Sequence, residues 1–295
     1  MSLVISGTVP IRDLPLLTGS VELKEHFVKL DGHEIPCTMG TAAMVSAACR
    51  TCEAVRIASP TWITAGDIGD SKGSRLIYNY LIDKLASIKP SVLSLHYLMP
   101  ITVLATKLID SFGSKKPVLI ADAGSMYVMK SIGASREFDL FTPDPGEMAF
   151  LADPSASHPA YMQRFLFEQD TVDVPRLVEQ AYKHGNASRV LLVKGAKDYV
   201  AKEGRIVAVI EEPFIPTLEP IGGTGDTVTG IASALVSYGM EVEKAAITAA
   251  RTNRVAGKLA NPSTATKVRE IIVQIPKALE QCMNENAKTQ QDHVE

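Results

Sequence analysis

The chain has 295 residues, 46% of them hydrophobic and 21% charged, enough for one large domain or two small ones with a substantial core. A formal net charge of -3 and a pI near 6.1 give no basic field for a nucleic-acid backbone or an anionic membrane surface, so neither partner is expected. No apolar run approaches the roughly 18 residues of a membrane span, and the N-terminus lacks a basic-then-apolar secretion pattern, so a cytoplasmic location is expected. The four cysteines are too few for a disulfide scaffold at this length.

In chain order, "DGHEIPCTMG" (31–40) offers His33 and Glu34 as substrate contacts, and a helix over 39–51 follows. Cys49 and Cys52 have C-x-x-C spacing inside its small-residue run. With no second pair and no nearby histidines, packing is the favoured reading over redox or zinc chemistry. "AVRIAS" (54–59) reads as the next strand. "ITAGDIGDSKGS" (63–74) reads as a glycine- and aspartate-rich loop before a helix over 72–87; capping explains Asp70 or Ser71, and Asp67 is a candidate substrate contact.

"SVLSLHY" (91–97) reads as a strand, with His96 left without a role, and a helix follows over 100–111. "PVLIAD" ends on Asp122, which either faces a cleft or caps the next helix. "FDLFTP" and "RVLLVKG" are near-continuously apolar, as strands covered on both faces are. Between them "LFTPDPGEMAFL" (140–151) ends a strand and opens a helix at Pro145, placing Thr142, Asp144 and Glu147 at a sheet edge where ligands bind. Asp144 and Glu147 together suit Mg²⁺, since hard cations prefer carboxylate oxygens, while a proline-fixed helix start with Glu147 in its first turn explains the same residues without a metal. Residues 153–172 read as an irregular insertion.

"DYVAKEGRIVAVI" predicts an edge hairpin turning at Glu203-Gly204. "PIGGTGDTVTGIASAL" (220–235) then sets three glycines and an aspartate at the start of an apolar helical run that carries a fourth glycine. Gly222, Gly223, Thr224 and Gly225 bring backbone N–H groups and a helix N-terminus to one place, which makes an anion hole. A carboxylate there repels a phosphate but suits a base that takes a proton from a substrate hydroxyl; an ordinary helix cap is the alternative. Helices are predicted over 225–239, 241–260 and 265–283, followed by a polar tail over about 284–295. Strands alternating with helices predict an α/β layer protein with a mainly parallel sheet, and no Pro/Gly/Ser linker divides it, so 1–295 is expected to be a single domain.

The order of these segments, strand then T-P-x-P-G-E, strand then V-K-G-A with a hairpin, then G-G-T-G-D and a helix, resembles the ribokinase-like superfamily. It is most similar to the carbohydrate-kinase-like NAD(P)H-hydrate dehydratase branch, over about residues 115 to 260. The resemblance implies a three-layer α/β/α fold with a mainly parallel central sheet and an edge hairpin, and a nucleotide, ADP or ATP, lying across the carboxyl edge of the sheet. It implies Asp226 as catalytic base, Gly223, Thr224 and Gly225 as anion hole, and Lys194 and Gly195 near the nucleotide phosphates. Homo-oligomers are frequent in this superfamily. One departure stands out: the dehydratase motif usually reads T-P-H-P-G-E, and here Asp144 takes the histidine position. The implied reaction is the dehydration of hydrated NADH or NADPH. A kinase phosphorylating a sugar or vitamin-precursor hydroxyl and a non-catalytic nucleotide-binding protein are the alternatives.

Overall fold

The computed structural model describes residues 2–113, 115–156 and 173–291, with side chains through residue 285. Six parallel strands form the centre of the molecule: β1 (Leu3–Gly7), β6 (Thr61–Thr64), β7 (Val92–His96), β8 (Val118–Asp122), β9 (Leu140–Phe141) and β10 (Val190–Val193). Antiparallel strands extend both ends: β2 (Leu17–Ser20) beside β6, and the hairpin β11 (Asp198–Lys202) and β12 (Arg205–Ile210) beside β10. The nine strands lie in the order β12-β11-β10-β9-β8-β7-β1-β6-β2. Glu203 and Gly204 both take positive φ at the hairpin turn, 52° and 79°, which matches the twist of the flanking strands. A separate antiparallel sheet, β3 (Glu22–Leu23), β4 (Phe27–Leu30) and β5 (His33–Pro36), leads into the first helix. His33 and Glu34 are exposed on it.

Alternation along each strand sends side chains to two separate cores. Leu3, Ile5, Val92, Ile120, Val190 and Leu192 pack under α1 (Gly40–Ala54), α7 (Thr224–Tyr238), α8 (Val242–Ala260), α9 (Val268–Ile272) and α10 (Ile275–Gln291). Val4, Leu93, Leu95, Leu119, Leu191 and Val193 face α2 (Lys72–Ile88), α3 (Thr102–Asp110), α4 (Gly124–Ser131), α5 (Pro145–Ala152) and α6 (Val174–Lys183). The result is the three-layer α/β/α arrangement with a mainly parallel sheet that the sequence predicted. On one face α1 and α7 touch closely, because a Cβ on Gly230 would lie 2.1 Å from the Met44 carbonyl oxygen, a distance no side chain tolerates.

Two elements differ from expectation. "AVRIAS" is not a strand: α1 runs to Ala54 and closes with Arg56 in the left-handed region, its N–H on Glu53 and that of Ile57 on the Cys52 carbonyl. That is the usual glycine-type helix stop with arginine at the left-handed position, and the strand forms later, at Thr61–Thr64. The predicted helix over 265–283 is broken into α9 and α10, with Val273 and Gln274 between them, and α10 continues to Gln291. Most of the predicted insertion, residues 157–172, lies outside the described residues.

Candidate active site

The same alternation that builds the core builds the site. On the α7 side of the sheet, β7 presents Val92, Ser94 and then His96; β8 presents Ile120 and then Asp122; beyond β9 comes Thr142, and two residues past Leu192 comes Lys194. Four adjacent strands therefore change from apolar to polar at their carboxyl ends, on one face. His96 and Asp122 are register partners. Close packing at this edge requires Gly7, since a Cβ there would sit 2.2 Å from the His96 carbonyl oxygen.

Helix α7 meets this row with a polar stripe at helical spacing. Ser233 receives a hydrogen bond from Ser94 (2.8 Å), Thr229 donates to Asp122 (2.6 Å) and shares a contact with Thr142 (2.8 Å), and Asp226 contacts His96 Nε2 at 3.1 Å. Lys194 Nζ donates to both oxygens of Asp122, at 2.9 and 2.8 Å. All of these groups are buried or nearly so, and a buried charge is tolerable only when paired and hydrogen-bonded.

Asp226 is held by remote partners. It stands in the first turn of α7, after Gly223 at φ 95°, yet its Oδ2 accepts the N–H of Gly40, the first residue of α1, at 2.6 Å. The positive ends of two helices thus converge on one carboxylate. Burial works against the ionised form, but the hydrogen bond and charge of His96, the Lys194 ammonium and the Gly40 N–H outweigh it and hold the Asp226 pKa below the usual carboxylate range. For Lys194, burial is likewise opposed and overcome, by Asp122, Glu147 and Asp226, and its pKa lies above the ordinary lysine value.

The glycine loop stands beside this cluster. A Cβ on Gly225 would lie 3.6 Å from Lys194 Nζ, which places the ammonium against the loop, and one on Gly222 would come 2.8 Å from Met39 Cε. Gly195 is fixed from both sides: its N–H donates to Asp198 (3.0 Å), and its carbonyl accepts from Arg254 (3.0 Å). Arg254 also binds Asp198 (2.7 Å) and the Ala196 carbonyl (2.9 Å), so one buried arginine on α8 pins the turn after β10.

The Thr-Pro-Asp-Pro-Gly-Glu corner has the capping geometry. Asp144 Oδ1 accepts from the Glu147 N–H (2.7 Å), Glu147 Oε2 from the Asp144 N–H (2.9 Å), and Tyr127 donates to Glu147 Oε1 (3.0 Å). Burial, then the nearby Asp144 and Asp122, push the Glu147 pKa up to about 8. Asp67 lies apart from these groups in contact terms: Oδ1 accepts from the N–H groups of Gly69 and Ser71, Oδ2 from the N–H and hydroxyl of Ser74, so the carboxylate is taken up by its own loop. Cys49 and Cys52 are free and buried, and burial raises both thiol pKa values, Cys52 to about 11, as expected of packing residues.

His96, Asp122 and Asp226 offer one ligand atom each within 4.8 Å of one another. Lys194 already occupies the cation position on Asp122 and His96 faces Asp226, so the cluster is neutralised internally. The sequence reading gave His96 no role and overlooked Gly40, Thr229 and Arg254. Counting by two along "SVLSLHY" and "PVLIAD" puts His96 and Asp122 on one face, which is the signal that finds the first of them.

Fold and site together define a ribokinase-like α/β/α enzyme whose polar cluster sits on the carboxyl edge of a parallel sheet. The profile of the carbohydrate-kinase family, described as NAD(P)H-hydrate dehydratase, matches residues 100–277, and the chain belongs to that family. It is 41% identical over 237 residues to an uncharacterized protein of Methanocaldococcus jannaschii, covering 80% of this chain and 98% of that protein. It is 29% identical over 175 residues to the bifunctional NAD(P)H-hydrate repair enzyme Nnr of Hyperthermus butylicus, covering 58% of this chain and 30% of that longer protein. In fold it is similar to the Bacillus subtilis ADP/ATP-dependent NAD(P)H-hydrate dehydratase co-crystallised with ATP/Mg²⁺ (TM-score 0.58, 13% identity, 95% of this chain and 92% of that one). It is likewise similar to Escherichia coli phosphofructokinase-2 in complex with potassium (TM-score 0.56, 12% identity, 95% and 100%). Among the described residues no helix is long and apolar enough to cross a membrane.

Proposed function

We propose that this chain is a nucleotide-dependent dehydratase of hydrated NAD(P)H, with Asp226 as base and the Gly223-Thr224-Gly225 backbone as anion hole. The observation that carries the reading is the position of Asp226: a buried carboxylate at the meeting of two helix N-termini, directly beside a glycine-rich loop against which Lys194 lies. The substrate hydroxyl oxygen attacks the terminal phosphoryl of the nucleotide as its proton passes to Asp226, and the nucleotide leaves one phosphoryl shorter. The phosphorylated carbon then loses phosphate, and a proton leaves the adjacent carbon to form the double bond. The loop N–H groups and Lys194 stabilise the negative charge that shifts during transfer.

The residues fit a divalent cation on the same edge. Asp144 is exposed, and Glu147 is a carboxyl whose pKa burial and neighbouring acids raise, so that an added positive charge would favour its ionised form. Mg²⁺ bound there with the nucleotide would neutralise phosphate charge. The deciding experiment follows NADH absorbance recovered from hydrated NADH with ADP, with ATP and with neither, for the unmodified protein and for Asp226→Asn. Nucleotide-dependent recovery that vanishes in the variant establishes the reading; no recovery with nucleotide binding intact ends it.

A second reading, an ATP-dependent small-molecule kinase, is favoured by one residue. Asp144 adds a carboxylate where the dehydratase motif has histidine, and Tyr97, 47% exposed, sits in the field of Asp226, Asp122, Glu147 and Asp144. An exposed carboxylate at that position suits an uncharged or amine-bearing acceptor better than a dinucleotide carrying phosphates. Phosphorylation of such hydroxyl compounds, with no recovery of NADH, selects it.

A further inference from the structure

Buried His96 sits beneath Asp226, and its hydrogen bonds can be assigned by counting protons. The Thr41 hydroxyl has one hydrogen and donates it to the Thr8 carbonyl oxygen at 2.7 Å. It therefore accepts from His96 Nδ1, 2.9 Å away, which fixes a proton on that nitrogen. Nε2 is left to face Asp226 Oδ1 at 3.1 Å, with Asp122 further off at 3.7 Å. Tyr97 closes the ring's edge with centroids 4.4 Å apart.

We propose that His96 is the positioning residue for Asp226: it donates from Nε2 to Oδ1 while Gly40 donates to Oδ2, so the carboxylate plane is fixed and Asp226 stays ionised to receive the hydroxyl proton. The proposal rests on Asp226 being the base. The groups facing Asp226 are His96 from β7, the Gly40 N–H from α1 and Lys194 from the turn after β10. Tyr97 lies in the same field, with Asp122 from β8 and with Asp144 and Glu147 from the start of α5. Burial favours the protonated form of Asp226; His96, Lys194 and the Gly40 N–H oppose it. The phosphoryl-transfer step gains no new reactant: the hydroxyl proton ends on Asp226, and His96 keeps both of its own.

The test combines kinetics with NMR on the full chain. Removing a donor that favours the ionised form raises the pKa of Asp226, so the acid limb of kcat/KM moves to higher pH. His96→Leu is expected to lower kcat about 100-fold, within the range for a misplaced general base, with KM changed by no more than about threefold and the limb displaced upward by about one pH unit. His96→Gln, which keeps an N–H near the Nε2 position, recovers most of that kcat. A loss of kcat with an unmoved limb in both variants makes His96 a packing residue and overturns the proposal; where the leucine variant does not fold, the glutamine variant and NMR decide. In ¹⁵N-histidine spectra, Asp226→Asn shifts the His96 Nε2 resonance and Thr41→Val shifts Nδ1. An Nε2 resonance insensitive to Asp226→Asn overturns the proposal whatever the activity. Full activity of Asp226→Asn, with Nε2 still shifting, instead locates the failure in the role of Asp226 itself.

Discussion

Two loops of this protein look alike in sequence, Gly66-Asp67-Ile68-Gly69 before α2 and Gly222-Gly223-Thr224-Gly225-Asp226 into α7, and they use their aspartates in opposite ways. The Asp67 carboxylate accepts only from groups within seven residues of itself, and all serve its own loop and helix start. Asp226 bonds to groups 130 and 186 positions away in sequence. The first closes a local structure; the second joins a strand end and two helices at a point that can face a ligand. A glycine–aspartate loop is thus informative about chemistry only once it is known whose N–H groups the carboxylate receives.

Asp226→Asn is the largest test of this contrast: turnover per folded molecule is expected to fall about 10²–10⁴-fold, with a stability cost of about 1–3 kcal/mol for the acceptor lost opposite Gly40 or His96, measured by the NADH-recovery assay and chemical denaturation. Lys194→Met comes next. It leaves Asp122 buried without its cation, and breaking such a pair costs about 3–5 kcal/mol, read by chemical denaturation; an unchanged midpoint would mean that the pair is solvated and the cluster less tight than drawn. Asp67→Asn should share the stability cost of Asp226→Asn but not its loss of turnover. Replacing an acceptor oxygen opposite Ser74 costs about 1–3 kcal/mol, while turnover per folded molecule is unchanged. A selective loss of turnover would return Asp67 to the substrate side.

The smallest effect is on pH dependence. Glu147 has a folded pKa of about 8 against an ordinary 4.5, so between those values the folded state binds the extra proton. Its contribution to stability is therefore greatest at the acid end and declines as pH rises through that window. Glu147→Gln should flatten this decline in a thermal-midpoint series. Mg²⁺ should flatten it too if the cation is held at that corner, and a slope indifferent to Mg²⁺ would move the metal elsewhere.

Much of the architecture was legible because buried parallel strands announce themselves as apolar runs: "SVLSLHY", "PVLIAD", "RVLLVKG" and the hairpin all stand where expected. The N-terminal 36 residues were not. β1 is five buried residues in the middle of the sheet, but so short a run carries no period of its own, and β2 to β5 are shorter still. "AVRIAS" misled because α1 stops on Arg56 rather than on glycine. In the site, Lys194 and Asp226 were legible from motif order and Asp122 as a strand end that faces a cleft or caps a helix, and the structure brings the three together. Gly40 and Arg254 were not, since a backbone N–H and a helix-interior arginine gain their meaning only when distant segments meet.

The row of polar strand ends also bears on how such a site can change over time. A residue inserted into a loop leaves the row intact, but one inserted within β7 would turn His96 from the α7 layer to the α2 layer and replace it with a neighbour. Only insertions in pairs preserve which face each terminal side chain occupies. The sheet therefore acts on the active site as a parity rule, under which strands can lengthen by even steps while loops lengthen freely.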